Sequence, residues 1–331
     1  MIVVRDIEKI DRDKWLSFVK EHPKGNVFQS LEMYDVYSHT PNYFPMALAA
    51  EDEGIIRGVL LAVIMTNGPK LTKSLTARSI IIGGPVVLDD DVDVLRLLLS
   101  EYKHYLPRYV VYSEIRPVYD MVNCSSVLEK YGFIRVGHYN VLVPLKKPTE
   151  ELYKRVKKER KRHIAQAERA GLIFSEVTGQ DCIDSIVRLI EETYKRKHVP
   201  LSDPLLFYNT VRYMSQYVHL FAIYNDTKMI AGQVSLCFNG LVYAWYTGSD
   251  VNSLNLRPND MLMWRFIQWA NDNGYDLFDF GGGGEPGVPY GVRDYKMTFG
   301  AELFDYGRYL CLHKPLIYKL GKFILELFGK S

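Results

Sequence analysis

Cysteine is scarce. The 331 residues hold four, Cys124, Cys182, Cys237 and Cys311, with no C-x-x-C pair and no histidine cluster beside them. That excludes a disulfide-stapled miniprotein and leaves structural zinc and dithiol redox chemistry without their ligands, so no metal site is expected. Long apolar runs are missing too: no stretch approaches the ~20 residues a membrane-spanning helix needs. The N-terminus, MIVVRDIEKIDRDKW, meets a charge within five residues and lacks the apolar region of a signal peptide. A cytoplasmic location is the expectation. Net charge is almost absent, 41 basic against 39 acidic side chains, which excludes a protein that coats nucleic acid with its whole surface. Three catalytic signatures are also lacking: G-x-G-x-x-G ahead of a helix, a G-K-[ST] phosphate loop, and a G-x-S-x-G nucleophile elbow.

What remains is an ordinary globular composition, 47% hydrophobic and 24% charged, in a chain long enough for two domains. The charge is unevenly spread. Residues 1–145 carry 16 basic and 18 acidic groups, residues 146–169 carry 10 and 4, and residues 170–331 carry 15 and 17. The positive excess is one 24-residue block between two slightly acidic halves.

The halves share a pattern. Residues 46–65 read as strand, charged turn (Glu51 to Gly54), strand; residues 219–238 repeat this around Asn225 to Lys228, with Gly58 and Gly232 in corresponding places. A further strand follows in each half (79–87 and 241–249), then a helix (91–105 and 258–273), then a short buried strand (109–115 and 276–280). This order predicts an internal duplication and an α/β fold with sheets of mixed direction. The domains are expected at 1–145 and 146–331, the second opening with a basic helix over 146–170. Thr149 with Glu150 and Glu151 suits its start and Gly171 its end. Near the C-terminus, Leu316, Ile317, Leu320, Phe323, Ile324, Leu327 and Phe328 form an apolar stripe bordered by Lys314, Lys319, Lys322 and Lys330. Docking on the second domain is the simpler expectation for that stripe; contact with a membrane surface is the other.

The densest feature is DLFDFGGGGEPGVPYGVRDYKMTFG, residues 276–300. Gly281 to Gly284 allow positive φ and close ligand approach, with Gly282 and Gly283 at the centre. Tyr290, Arg293, Asp294, Tyr295 and Lys296 crowd hydrogen-bonding groups behind them, which marks a site. An amine attacking an ester or thioester forms a tetrahedral oxyanion, and Lys296 can supply the cation that stabilises it. Asp294, Asp279 or, through water, Tyr246 can take the amine proton. In the basic block, Arg160 and Arg162 suit phosphate oxygens, because guanidinium forks match them. Arg257 stands at a helix start, a second place for an anion.

The run FDFGGGGEPGVPYGVRDYKMTFG resembles the C-terminal signature of FemAB-like proteins, the GNAT-type aminoacyltransferases of peptidoglycan bridge formation. The preceding VYAWYTGSDVNSLNLRPNDMLMWRFIQWANDNGYDLFDF, the basic KERKRHIAQAERAGL and the early FQSLEMYDVY resemble the same family, so the likeness runs from about Phe28 to Tyr309. The resemblance implies two tandem GNAT-like domains and transfer of an amino acid from aminoacyl-tRNA to an amine of a peptidoglycan or surface-polysaccharide precursor. It places Lys296 beside the reacting carbonyl and donor phosphate. It makes Tyr243 and Tyr246 acceptor-side aromatics, with Tyr290 added as cleft lining. The implied partners are a phosphate-bearing or lipid-linked acceptor and the acceptor end of a tRNA, with no bound cofactor. An acyl-CoA donor acting on an amino-sugar, and a non-catalytic module binding an anionic polymer, are the alternatives.

Overall fold

The structure is a computed structural model that describes residues 1–66 and 73–328; Lys330, and the side chains of Ile324, Leu327 and Phe328, lie outside that description. Along the chain run β1 (Ile2–Val4), β2 (Tyr43–Asp52), β3 (Ile55–Met65), β4 (Arg78–Ile82), β5 (Val86–Val87), β6 (Tyr112–Arg116) and β7 (Ile134–Val136). Then follow β8 (Tyr139–Pro144), β9 (Ile173–Val177), β10 (Val218–Asn225), β11 (Lys228–Phe238), β12 (Leu241–Ser249), β13 (Leu277–Gly282), β14 (Glu302–Asp305) and β15 (Arg308–Leu312).

They form two sheets with one topology. The first has the order β1-β2-β3-β4-β6-β15-β7, with β5 on β3; the second has β9-β10-β11-β12-β13-β8-β14. Among the described residues every pairing is antiparallel except β4 with β6 and β12 with β13, the equivalent places in the two sheets. The expected mixed-direction α/β fold and its duplication are both present. Both long hairpins form where turn residues predict them: Glu53 and Gly54 take φ of 50° and 77°, and Asp226 takes 51°. The paired glycines do the same job twice. A Cβ on Gly58 would lie 2.7 Å from Val94, and one on Gly232 would lie 2.6 Å from Ile186. Each lets a helix press onto its hairpin.

The chain divides into one compact unit of residues 1–138 and 306–331, and another of residues 139–305. The boundary read from the sequence at 145/146 differs in two strands. β8 pairs with β13 and β14, so it belongs to the second sheet. β15 pairs with β6 and β7, so the C-terminal segment belongs to the first. Hydrogen-bonding partners, which sequence order does not reveal, decide both.

The expected single basic helix is two, Thr149–Arg155 and Lys158–Arg169. Val156 and Lys157 are extended between them, and Lys157 N donates to Thr298 O at 2.9 Å. A tertiary hydrogen bond replaces the helical one at the break. Leu152, Val156, Ile164 and Ala167 still bury one face against the helix Pro258–Asp272 and the inward side chains of β8 and β13. The other face of the second sheet is covered by the helices Gln180–Arg196 and Leu205–Tyr213 through Ile183, Ile186, Ile190 and Phe207.

Candidate functional site

The second sheet comes apart in one place. β12 and β13 run parallel and pair only from Leu241 with Leu277 to Tyr243 with Asp279. Beyond that, β12 carries a bulge in its pairing with β11, leaving Trp245 between Ala244 and Tyr246. β13 likewise shifts register against β8 between Asp279 and Gly282. Splayed parallel strands present backbone N–H and C=O groups to a ligand at their carboxyl ends.

Asp279 is the last residue of β13 paired with β12 and is 1% exposed. Its carboxylate accepts from Gly281 N at 2.6 Å and from Asn140 Nδ2 at 3.4 Å. Burial pushes its pKa up to about 6, opposed by those donors and by the nearby Lys296 ammonium. Lys296 lies on the short helix Gly291–Met297 and donates through Nζ to Gly282 O at 2.7 Å. Burial lowers its pKa to about 8, with Asp279 acting the other way. Two groups whose charged forms both resist burial thus share one notch, and their pKa values bracket neutrality.

Tyr243 stands opposite Asp279 in the β12–β13 register. Gly281 has φ of 77°, and a Cβ there would lie 3.1 Å from the Tyr243 hydroxyl, so the phenol rests on bare backbone. The Tyr246 hydroxyl is 3.1 Å from Ser202 Oγ, and its ring packs on Phe207 and Tyr194. Burial raises the pKa of the Tyr194 phenol, and Tyr246 and Tyr290 act the same way. Tyr290 is 40% exposed beside Gly284.

Several expected residues do other work. Arg160 is a correction. It is buried, donates through Nη1 to Asp260 at 2.5 Å and through Nε to Thr298 Oγ1 at 3.0 Å, and stacks on Tyr295. His163 meets the same Asp260 at 3.1 Å. An arginine sealed this way ties two helices and offers no fork to phosphate. Asp294 is a second correction: its side chain is 74% exposed. Two positions from Lys296 on a helix means roughly 200° around it, so it faces away from the lysine. Arg293 closes the glycine-rich loop, donating to the carbonyls of Gly283, Glu285 and Val288. Gly283 packs against Val141 and Tyr139, while Gly282 presents its carbonyl to Lys296.

Arg162 is exposed and forms no ion pair among the described residues, as are Lys154, Lys157 and Lys158. Arg257 is exposed and left-handed at the N-cap of Pro258–Asp272. Among the described residues no group of His, Cys, Asp or Glu could hold a metal ion, and no helix is long and apolar enough to cross a membrane. A cavity of about 450 Å³ lined by Phe18, His22, Lys24, Asp89 and Asp90 belongs to the first unit and contains none of these residues.

The sequence offers Asp294 and Asp279 together as proton acceptors and gives no sign of Asn140. The available signal was position: an aspartate ending a buried parallel strand before glycines sits where strand ends meet ligand. Asn140 gave none, because its strand joins this sheet only in three dimensions.

Residues 154–297 match the family model of an acetyltransferase (GNAT) domain. No curated protein sequence matches the chain. Among solved structures, FemX superposes with a TM-score of 0.74 at 16% identity, covering 97% of this chain and 99% of FemX. The C-terminal domain of a putative lysylphosphatidylglycerol synthetase from Agrobacterium fabrum gives 0.60 at 13% identity, covering 95% of each chain. A tandem GNAT protein of the clavulanic acid biosynthesis pathway gives 0.59 at 9% identity, covering 94% and 98%. The fold is therefore a tandem GNAT fold shared with FemX, as the motif resemblance implied.

Proposed function

We propose that the second unit catalyses acyl transfer to an amine, making an amide on a precursor of the cell envelope with aminoacyl-tRNA as donor. The observation that carries this reading is the Lys296–Asp279 pair in the splay between β12 and β13. The amine nitrogen attacks the ester carbonyl and the carbonyl oxygen becomes an oxyanion. The Lys296 ammonium stabilises that charge. Asp279, with a pKa of about 6, is a carboxylate at neutral pH and takes the proton the amine sheds. The C–O bond then breaks, and the proton passes to the departing ribose oxygen. No covalent enzyme intermediate is needed. Tyr243, Tyr246 and Tyr290 line the acceptor side. The exposed Arg162, Lys154, Lys157 and Lys158 hold phosphate of the donor's acceptor end or of a phosphate-bearing acceptor. Such a donor implies work in the cytoplasm.

Lys296→Met tests the chemistry. The expected result is a loss of about 10²–10³-fold in transfer rate with the circular dichroism spectrum unchanged; full turnover would remove Lys296 from the mechanism. A second reading is an acyl-CoA donor, favoured by the acetyltransferase (GNAT) match over 154–297 and by Arg257 at an open helix N-terminus. Calorimetric titration separates the two: saturable binding of acetyl-CoA that Arg257→Ala weakens would replace aminoacyl-tRNA as donor.

A further inference from the structure

The C-terminal helix Pro315–Phe328 leaves three residues of its apolar stripe open. Leu316 is 83% exposed, Leu320 59% and Phe323 57%. These positions fall within roughly 60° of one another around a helix, so they form one line. The helix is nevertheless seated. His313 N and Lys314 N both donate to Val111 O at 2.9 Å, Lys314 Nζ donates to Tyr109 O at 3.3 Å, and the Tyr318 ring packs edge-on against Tyr112 at 5.2 Å. One face is held by the first unit and the opposite face carries the leucines and phenylalanine.

Two lysines and one glutamate border the line, a net positive edge. Lys319 and Lys322 are exposed, both lie on the same border of the line, and Glu326 is the helix's sole acidic residue. We infer that Leu316, Leu320 and Phe323 of the seated C-terminal helix rest in the interface of an anionic lipid bilayer, with Lys319 and Lys322 on lipid headgroups. Three apolar residues in file beside two lysines match a surface that is apolar within and negative at its face. With Tyr318 on the opposite side packed against Tyr112 of the first unit, the described helix meets the bilayer surface along its side. This surface belongs to the first unit and holds whether or not the second unit transfers acyl groups.

The test is co-sedimentation of the full chain with vesicles of phosphatidylcholine alone and of phosphatidylcholine mixed with phosphatidylglycerol. Binding is expected only to the mixed vesicles and should weaken as salt rises. Lys319→Gln with Lys322→Gln should reduce it about 25-fold, near fivefold per lysine. Leu316→Glu with Leu320→Glu should abolish it, leaving circular dichroism unchanged because both positions are exposed. Equal binding to both vesicles, or none, overturns the inference. So does a concentration-dependent dimer without lipid binding that the Leu320→Glu change dissolves, since the stripe would then cover a second copy of the chain.

Discussion

At the residue scale, the site rests on two groups that burial pulls toward neutrality from opposite sides. Asp279 has its pKa raised from 3.8 to about 6. A raised folded-state pKa contributes stability that is full below the unfolded value and lost as pH rises through the folded one. At neutral pH the fold therefore carries an unfavourable buried carboxylate, worth about 3 kcal/mol at ~1.4 kcal/mol per pKa unit. Asp279→Asn should raise the melting temperature at pH 7.5 and lose that advantage toward pH 4, while transfer slows; thermal denaturation across that range checks it. Gly281 tests the other constraint, φ of 77° under the Tyr243 hydroxyl. Gly281→Ala should cost about 1–2 kcal/mol from left-handed strain. Tyr243→Phe should return part of it by freeing the 3.1 Å contact, a non-additivity that urea denaturation of the double variant reads. Lys296 and the glycine run stand out in the sequence because their residue types are chemically demanding. Asp294 misled because sequence proximity ignores the direction in which a helix turns its side chains.

At the scale of elements, the basic segment shows how charge reads differently before and after folding. Its lysines and Arg162 stay on the surface, as a polyanion contact requires, yet Arg160 turns inward to Asp260 with side chains 10% and 7% exposed. Removing one partner of such a pair strands the other. Arg160→Ala should destabilise the protein by about 3–5 kcal/mol, whereas Arg160→Met with Asp260→Leu should recover most of the loss. Chemical denaturation of the three proteins decides it; equal stability of Arg160→Ala and the parent would return Arg160 to the surface role. The hairpins, the helix Pro258–Asp272 and the C-terminal helix were readable from apolar period and turn chemistry. The break at Val156 and Lys157 was not. It follows from a hydrogen bond to Thr298, 141 residues further along the chain.

For the whole molecule, repetition of pattern announced two copies of one fold, and both sheets have the same strand order and the same parallel pair. What the pattern could not announce is which copy each border strand completes. β15 sits between β6 and β7 in the first sheet, with Tyr309 fully buried and Cys311 nearly so. A chain ending at Asp305 should therefore lose the first unit's cooperative unfolding, and one ending at Lys314 should keep it. Limited proteolysis and calorimetry of the two truncations distinguish them. A boundary placed by sequence order alone would predict instead that both truncations leave residues 1–145 intact.

The central claim is that a lysine held as ammonium and an aspartate held as carboxylate work together where β12 and β13 part. The pH dependence of kcat/KM for amide formation tests it most directly. The account predicts a bell, rising with a midpoint near 6 as Asp279 ionises and falling near 8 as Lys296 loses its proton. Asp279→Asn should erase the acid limb and Lys296→Arg should move the alkaline limb upward. A profile flat from pH 5 to 9, or limbs that neither substitution moves, would contradict the account.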